Sequence, residues 1–222
     1  MKKIYFVLLL TIFLGFVAGN KASGQDMCQY CQYPRFCNVI TFDVTCGGNI
    51  FPVEATICIE CRDGFVYLMQ LLEFKVPAAF EQYLSDWDCQ DIMWDSLNAH
   101  VRRDALNLCG MVPCPQTVEL WRTIPLCGVF IYFETPTHEK YTIRRFLPGD
   151  CNKRCVKKVK LCYNMETQQY EEREVLESKV EGTCPRNPND VIEWNFVKNL
   201  IDQGVQYIRF DCAELWSVLG CP

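Results

Sequence analysis

Residues 38–76 read NVITFDVTCGGNIFPVEATICIECRDGFVYLMQLLEFKV, and this stretch contains the pattern that decides the fold. Every second residue from Ile40 to Cys46 is apolar, and polar residues lie between them, as in a strand with one buried face. Gly47-Gly48-Asn49 and Arg62-Asp63-Gly64 are turn sequences, because glycine and Asp-Gly adopt the positive φ of tight hairpins. The stretch predicts a three-stranded meander in which the third strand, Phe65–Val76, is central because it is apolar on both faces.

Helical patterns follow the meander. Pro77 ends the third strand, and the apolar spacing after it predicts a helical segment as far as Trp87. A second helix is predicted over residues 89–108, because Gly110 lies just beyond its end. Its apolar residues are expected to face inward: Ile92, Met93, Leu97 and Val101.

Strand patterns resume after a proline-containing segment, Met111–Thr117, which is the best candidate for a linker. Hairpins are predicted at 129–147 and 156–180, then a helix begun by Asp190 and Glu193 and ended by Gly204, then a strand from Gln206. The order predicts an α+β fold of antiparallel β-meanders and hairpins with a few packed helices. Residues 25–222 form either one disulfide-rich domain or two lobes, 25–111 and 112–222.

Residues 1–24 have the layout of a secretory signal peptide, with Lys2 and Lys3 before an apolar run and small residues Ala22-Ser23-Gly24 before the expected cleavage point. The apolar run is shorter than the roughly 20 residues that span a bilayer. The leader resembles those of secreted Bacteroidota proteins, which implies a bacterial source. We expect a secreted chain, either extracellular or at the periplasm or outer surface of a Gram-negative bacterium, with no membrane span in its mature part.

The sixteen cysteines all lie after the leader, and an even number in an exported chain predicts a disulfide framework. The disulfide candidates are Cys28, Cys31, Cys37, Cys46, Cys58, Cys61, Cys89, Cys109, Cys114, Cys127, Cys151, Cys155, Cys162, Cys184, Cys212 and Cys221. Cys28-x-x-Cys31 and Cys58-x-x-Cys61 have the spacing of a zinc ribbon, but an oxidising compartment favours disulfides over metal ligands. A thioredoxin-like site at Cys58–Cys61 is disfavoured because the pair ends a strand and does not begin a helix. We expect no metal and no cofactor.

The formal net charge is −5, and residues 25–100 carry three basic residues against eleven acidic ones. Such a balance disfavours nucleic-acid binding. The single basic cluster, Lys153 to Lys160, precedes four glutamates at 171–177, so we expect the two groups to neutralise each other across a hairpin.

Catalytic side chains are scarce. The chain has two histidines, His100 and His138, and its serines lie outside any Gly-x-Ser-x-Gly sequence. Carboxylates and tryptophans do cluster at one place, and acidic groups beside aromatic rings can bind or hydrolyse sugars. The residues of this possible binding site are Asp86, Trp87, Asp91, Trp94 and Asp95. The competing interpretation is an acidic helix start with tryptophans in the core.

These observations favour a non-catalytic structural or binding protein of the cell envelope or extracellular space: a matrix, filament or adhesion component. Its partner would be a protein, a glycan or a second copy, and the apolar hairpin 129–147 would suit self-assembly if it lay at a sheet edge. The alternative is an exported enzyme, either a carboxylate-based hydrolase or a thiol oxidoreductase.

Overall fold

The computed structural model describes residues 27–32, 34–84, 86–146, 151–184 and 194–215. The predicted leader, the helix start at Asp190 and Glu193, and Cys221 lie outside these residues, as does the side chain of Trp87. Nine strands are described: β1 (Arg35–Cys46), β2 (Asn49–Arg62), β3 (Phe65–Pro77), β4 (Val118–Pro125), β5 (Cys127–Glu134), β6 (Lys140–Phe146), β7 (Arg154–Asn164), β8 (Gln169–Glu181) and β9 (Tyr207–Glu214). The α-helices are α1 (Trp87–Leu108) and α2 (Trp194–Asp202), and short 3₁₀ helices span Cys28–Tyr30 and Ala78–Tyr83.

The predicted meander is confirmed. β1, β2 and β3 pair antiparallel in sequence order, joined at the two predicted turns, each of which has two residues between the strands. Gly47 and Gly48 have φ values of 55° and 77°, and Asp63 and Gly64 have 52° and 82°. Positive φ at both central residues is the conformation of the hairpin turn that matches the right-handed twist of strands.

The sheet forks at β3, which is central as predicted. One side of β3 pairs with β2, while the other side pairs in parallel with β4 at Leu68–Gln70 and antiparallel with β6 at Glu73–Pro77. One branch continues as β4, β7 and β8, and the other as β6, β5 and β9. Strands from both predicted lobes therefore share one hydrogen-bonded sheet.

The described part of the chain is mainly β, so the predicted α+β fold is confirmed only in part: the antiparallel meander and hairpins with a few helices are present, but strands predominate. β4 was not predicted from the sequence. Prolines lie shortly before it, at Pro115, and at its last residue, Pro125, and they obscure the strand pattern. The segment predicted as a helix after Pro77 forms only the 3₁₀ helix. None of the described helices is long and apolar enough to cross a bilayer.

The main hydrophobic core lies between the sheet and the helices. Met93, Trp94, Leu97 and Val101 of α1 pack with Ile40, Phe42 and Val44 of β1, while Val197 of α2 joins the same cluster. The predicted end of α2 at Gly204 is confirmed. Gly204 has a φ of 84°, its N–H bonds to the Ile201 carbonyl, and the Val205 N–H bonds to the Leu200 carbonyl, which is a Schellman cap.

The predicted disulfide framework is also confirmed. Seven bridges join described cysteines: Cys28–Cys37, Cys31–Cys58, Cys46–Cys89, Cys61–Cys109, Cys114–Cys162, Cys127–Cys184 and Cys151–Cys212. Cys155 is disulfide-bonded as well. The predicted linker is held by one of them, because Cys114 is bonded to Cys162 of β7 and the Val112 carbonyl accepts a hydrogen bond from the Tyr163 N–H.

Candidate functional site

Three strands lie at edges of the described sheet: β1, β8 and β9. β8 carries seven charged side chains in thirteen residues, five of them glutamates, and natural proteins place charges on edges to prevent unwanted pairing. β9 has eight residues, whereas β1 has twelve and carries only two charges, at Arg35 and Asp43. β1 is therefore the long edge with the least protection. The hairpin of β5 and β6 is internal, so the condition set for assembly through residues 129–147 is not met.

The hairpin register decides which backbone groups of β1 point away from the sheet. Cys46 and Asn49 close a two-residue turn, and such a closing pair exchanges N–H···O bonds. Bonded and non-bonded pairs alternate along an antiparallel ladder, and the β1–β2 register has no shift. Even-numbered residues of β1 thus bond to β2, while Cys37, Val39, Thr41 and Asp43 direct their N–H and carbonyl groups outward.

Helix α1 lies along β1 and runs in the opposite direction. The Cys46–Cys89 bridge joins the end of β1 to the start of the helix. Further along, the rings of Phe42 and His100 stack with centroids 5.1 Å apart, and Asn38 Nδ2 donates to Asp104 Oδ2 at 2.8 Å. The far end of the helix is fixed by the bridge Cys61–Cys109, so covalent bonds hold α1 against the meander at both ends.

A groove opens where the start of β1 meets the last turns of α1. Its empty volume is 740 Å³, open mouth included. Phe36 and Leu108 contribute apolar surface and are 46% and 43% exposed. The polar lining comes from Arg35, Asn38, Asp104 and Asn107. An open strand edge beside an apolar and amide-lined groove is the geometry by which extended polypeptides add to a sheet.

The residues of the predicted sugar site do not all share one environment. Asp86 precedes α1, accepting a hydrogen bond from the Asp88 N–H at 3.1 Å on its side chain and one from the Gln90 N–H at 3.0 Å on its carbonyl. This is the role of a helix N-cap. Trp94 is buried with its ring stacked on Phe74, whereas Asp91 and Asp95 are exposed.

The two histidines make local contacts. His100 is half-buried, with Nδ1 2.9 Å from the Ser96 carbonyl oxygen one turn earlier in α1. His138 lies in the β5–β6 turn with its side chain 83% exposed, and its Nδ1 is 2.7 Å from Glu134 Oε1. Each imidazole is thus positioned by a neighbour in its own helix or hairpin.

The paired Cys-x-x-Cys sequences form bridges with other cysteines. Cys31 bonds to Cys58 and Cys61 bonds to Cys109, and these bridges belong to separate apolar clusters. Cys58 and Cys61 therefore do not bond to each other. No cysteine in the described part of the chain is free.

The predicted neutralisation of the basic cluster by the glutamates at 171–177 is confirmed for two of its cations, whereas Lys158 pairs instead with Glu119 of β4. Lys157 pairs with Glu172 at 3.6 Å and Lys160 with Glu174 at 2.7 Å, both across the β7–β8 hairpin. Glu172 also contacts Arg102 and Arg122, at 3.6 and 2.6 Å. Burial, followed by repulsion from Arg122, lowers the pKa of Arg102.

A cavity of 540 Å³, open mouth included, lies between α1 and the sheet near these cations. Its walls are mainly apolar side chains of the core, such as Leu71, Leu97 and Ile124, and Arg122 and Lys157 also line it. Because both cations are already paired with Glu172, we interpret this cavity as part of the packing between α1 and the sheet.

Sequence reasoning missed the edge of β1 because strand order is a long-range property. One local signal was available: over β1 the outward positions contain valine and threonine with only two charges. The predicted inward orientation of Ile92 on α1 is wrong. Ile92 was predicted to face inward because it is apolar, yet it is 44% exposed, since it lies one residue, about 100° of helix, from buried Met93.

Comparison with known proteins gives no match among protein-family models, curated proteins or solved structures.

Proposed function

We propose that this chain is an exported, disulfide-stabilised binding or structural protein of the cell envelope or extracellular space, without catalytic activity. It would act as a matrix, filament or adhesion component. Its partner would add to the open edge of β1, with a side chain or two entering the groove between β1 and α1.

The disulfide bridges support the proposed export to an oxidising compartment. Disulfides persist in oxidising surroundings and are rare in a reducing cytosol. The seven described bridges fit an extracellular or other oxidising compartment. Export through the predicted leader at residues 1–24 is part of the proposal.

The edge of β1 is the observation that carries the binding function. Natural proteins protect long edges with charges, prolines or bulges, because unpaired N–H and carbonyl groups invite another strand. The outward positions of β1 between its two charged residues are Cys37, Val39 and Thr41, and Val39 is 38% exposed. A long edge strand with few charges beside a groove favours recognition of a polypeptide.

The enzymatic alternatives have less support. A thiol oxidoreductase requires an accessible cysteine pair that is reduced in part of its cycle, and the described cysteines bridge strands and helices of the scaffold. A carboxylate-based hydrolase would require Asp86 and Asp91 to act together, whereas Asp86 caps α1. We therefore retain binding as the proposed function.

The test compares two valine variants in cells of the source organism. Val39 and Val175 are both exposed valines on edge strands, β1 and β8. Val39→Lys introduces the residue that guards edges and should release the protein from the envelope or matrix fraction into the soluble fraction. Val175→Lys is the matched control and should distribute as the wild type does.

Two results would overturn the proposal. One is a Val39→Lys protein that fractionates like the wild type. The other is a natural product whose cysteines react with a thiol reagent without prior reduction, because this would place it in a reducing compartment.

A further inference from the structure

We propose that the occupant of the β1 edge is β1 of a second copy of this chain, paired antiparallel with Val39 at the centre. This inference rests on the proposed function, since it names the partner of the same edge. The pairing would join two copies of the sheet into one continuous sheet around a two-fold axis.

The charges of β1 select this register. When Val39 lies opposite Val39 of the second copy, Arg35 of each copy lies opposite Asp43 of the other. These two are the only charged residues of β1, and both are on the face opposite α1, because odd-numbered residues share that face. Moving the register by one residue in either copy separates the pairs, and a parallel arrangement cannot form both.

The backbone geometry permits the same register. The outward-pointing groups belong to odd-numbered residues, and centring on Val39 places odd opposite odd: Cys37 faces Thr41 of the second copy. The Arg35 N–H already donates to the Gln32 carbonyl at 3.1 Å, so the new ladder forms between the outward groups of Cys37, Val39 and Thr41, which have no strand partner in the described chain. Arg35 already contacts Glu60 through Nε at 3.1 Å, and its fork of five donors leaves capacity for a second carboxylate.

The helices would also be brought together. Because α1 runs antiparallel to β1, the first half of the second copy's α1 would pass beside the groove at the start of β1. Ile92 lies in that half and is 44% exposed, and the groove carries exposed Phe36 and Leu108. The pairing would thus bury three apolar side chains that a monomer leaves in solvent.

The first experiment measures self-association of the purified, oxidised mature protein by sedimentation velocity across a concentration series. We expect a reversible dimer. Asp43→Lys places a cation opposite Arg35 at both ends of the ladder and should weaken the dimer about tenfold, since two favourable pairs become two repulsions. Adding Arg35→Glu to Asp43→Lys exchanges the charges and should restore most of the affinity.

The charge control is Glu166→Lys, at the tip of the β7–β8 hairpin, which changes net charge equally but lies outside β1. It should dimerise like the wild type. Equal weakening by Glu166→Lys and Asp43→Lys, or no rescue in the double variant, would contradict the register.

The second experiment identifies the contact. Arg35→Lys retains the positive charge and adds an amine that a carbodiimide couples to a nearby carboxylate with loss of water. In a mixture of ¹⁴N- and ¹⁵N-labelled protein, we expect a mixed-isotope peptide joining position 35 to Asp43. A dimer that lacks this peptide would refute the pairing through β1.

A protein that remains monomeric at all concentrations would refute the second copy as occupant while leaving the proposed function standing, provided Val39→Lys still leaves the envelope fraction. Conversely, a dimer with the expected cross-link and no effect of Val39→Lys on cell fractionation would support the pairing and contradict the proposed function.

Discussion

Glu81 and Arg144 form a buried ion pair whose removal gives a sharp test of the structure. Their exposed fractions are 5% and 8%. The guanidinium holds the carboxylate with two bonds, Nη1–Oε1 at 2.5 Å and Nη2–Oε2 at 2.6 Å, and its Nε donates to the Leu215 carbonyl at 2.8 Å. Thr142 Oγ1 donates to the same carboxylate. The pair therefore joins the 3₁₀ helix, β6 and the residue after β9.

The cost of breaking this pair follows from burial. Glu81→Gln removes the carboxylate charge that the buried guanidinium of Arg144 binds through two bonds, and removal of one partner of a buried pair costs about 3–5 kcal/mol of unfolding free energy. Arg144→Met leaves a buried carboxylate and should cost a similar amount. In the double variant the uncharged glutamine still accepts from Thr142, so the main loss is the bond to Leu215, worth about 1–3 kcal/mol. The double variant should be more stable than either single variant.

Denaturant unfolding with the disulfides intact, followed by circular dichroism, measures these free energies and their coupling. The matched control is Glu119→Gln, which breaks a 2.6 Å pair with Lys158 in which the glutamate is 51% exposed, and should cost about 0–1 kcal/mol. A loss below about 1 kcal/mol for Glu81→Gln, or single losses that simply add in the double variant, would refute the assignment of a buried, mutually dependent pair.

Three further predictions concern stability. Asp86→Ala should lower the free energy of unfolding by about 1 kcal/mol and Asp86→Asn by much less, because asparagine also caps helices; equal losses would contradict the N-cap. Burial raises the pKa of Tyr170 from 10 to about 12, so its contribution to stability is present below pH 10 and is lost as the pH rises through 12; Tyr170→Phe should flatten that loss in alkaline unfolding curves. Replacing Cys46 and Cys89 by serine, which opens a bridge of sequence separation 43, should cost about 4 kcal/mol in unfolding experiments, whereas a loss under about 1 kcal/mol would contradict the bridge.

The meander could be predicted because its information is local. Alternation along β1 sets the buried face, and the Gly47-Gly48 turn sets the β1–β2 register, so a stretch of 39 residues contains what it needs. The ends of α1 and α2 were similarly indicated by Gly110 and Gly204. The length of β4 was hidden by neighbouring prolines, and its parallel pairing with β3 joins residues about fifty positions apart.

The candidate site, by contrast, depends on the order of strands in the sheet, which is a long-range property. No local pattern states that β1 has one strand neighbour while β6 has two, since the fork at β3 decides both. The predicted group of acidic residues and tryptophans was assembled from sequence proximity alone. On a helix, however, neighbours in sequence point in different directions, so Trp94 is buried while Asp95 is exposed.

The disulfides hold the edge strand β1 in a fixed conformation. A strand edge in a flexible hairpin loses conformational entropy when it binds, and that loss is subtracted from the affinity. Here Cys46–Cys89 fixes the end of β1, Cys28–Cys37 fixes its start, and Cys61–Cys109 holds α1 beside it. The edge is therefore already ordered before a partner arrives. Bridges that serve stability alone could lie anywhere in the sheet, whereas this set confines the one long, weakly charged edge of the described chain in a form ready for pairing.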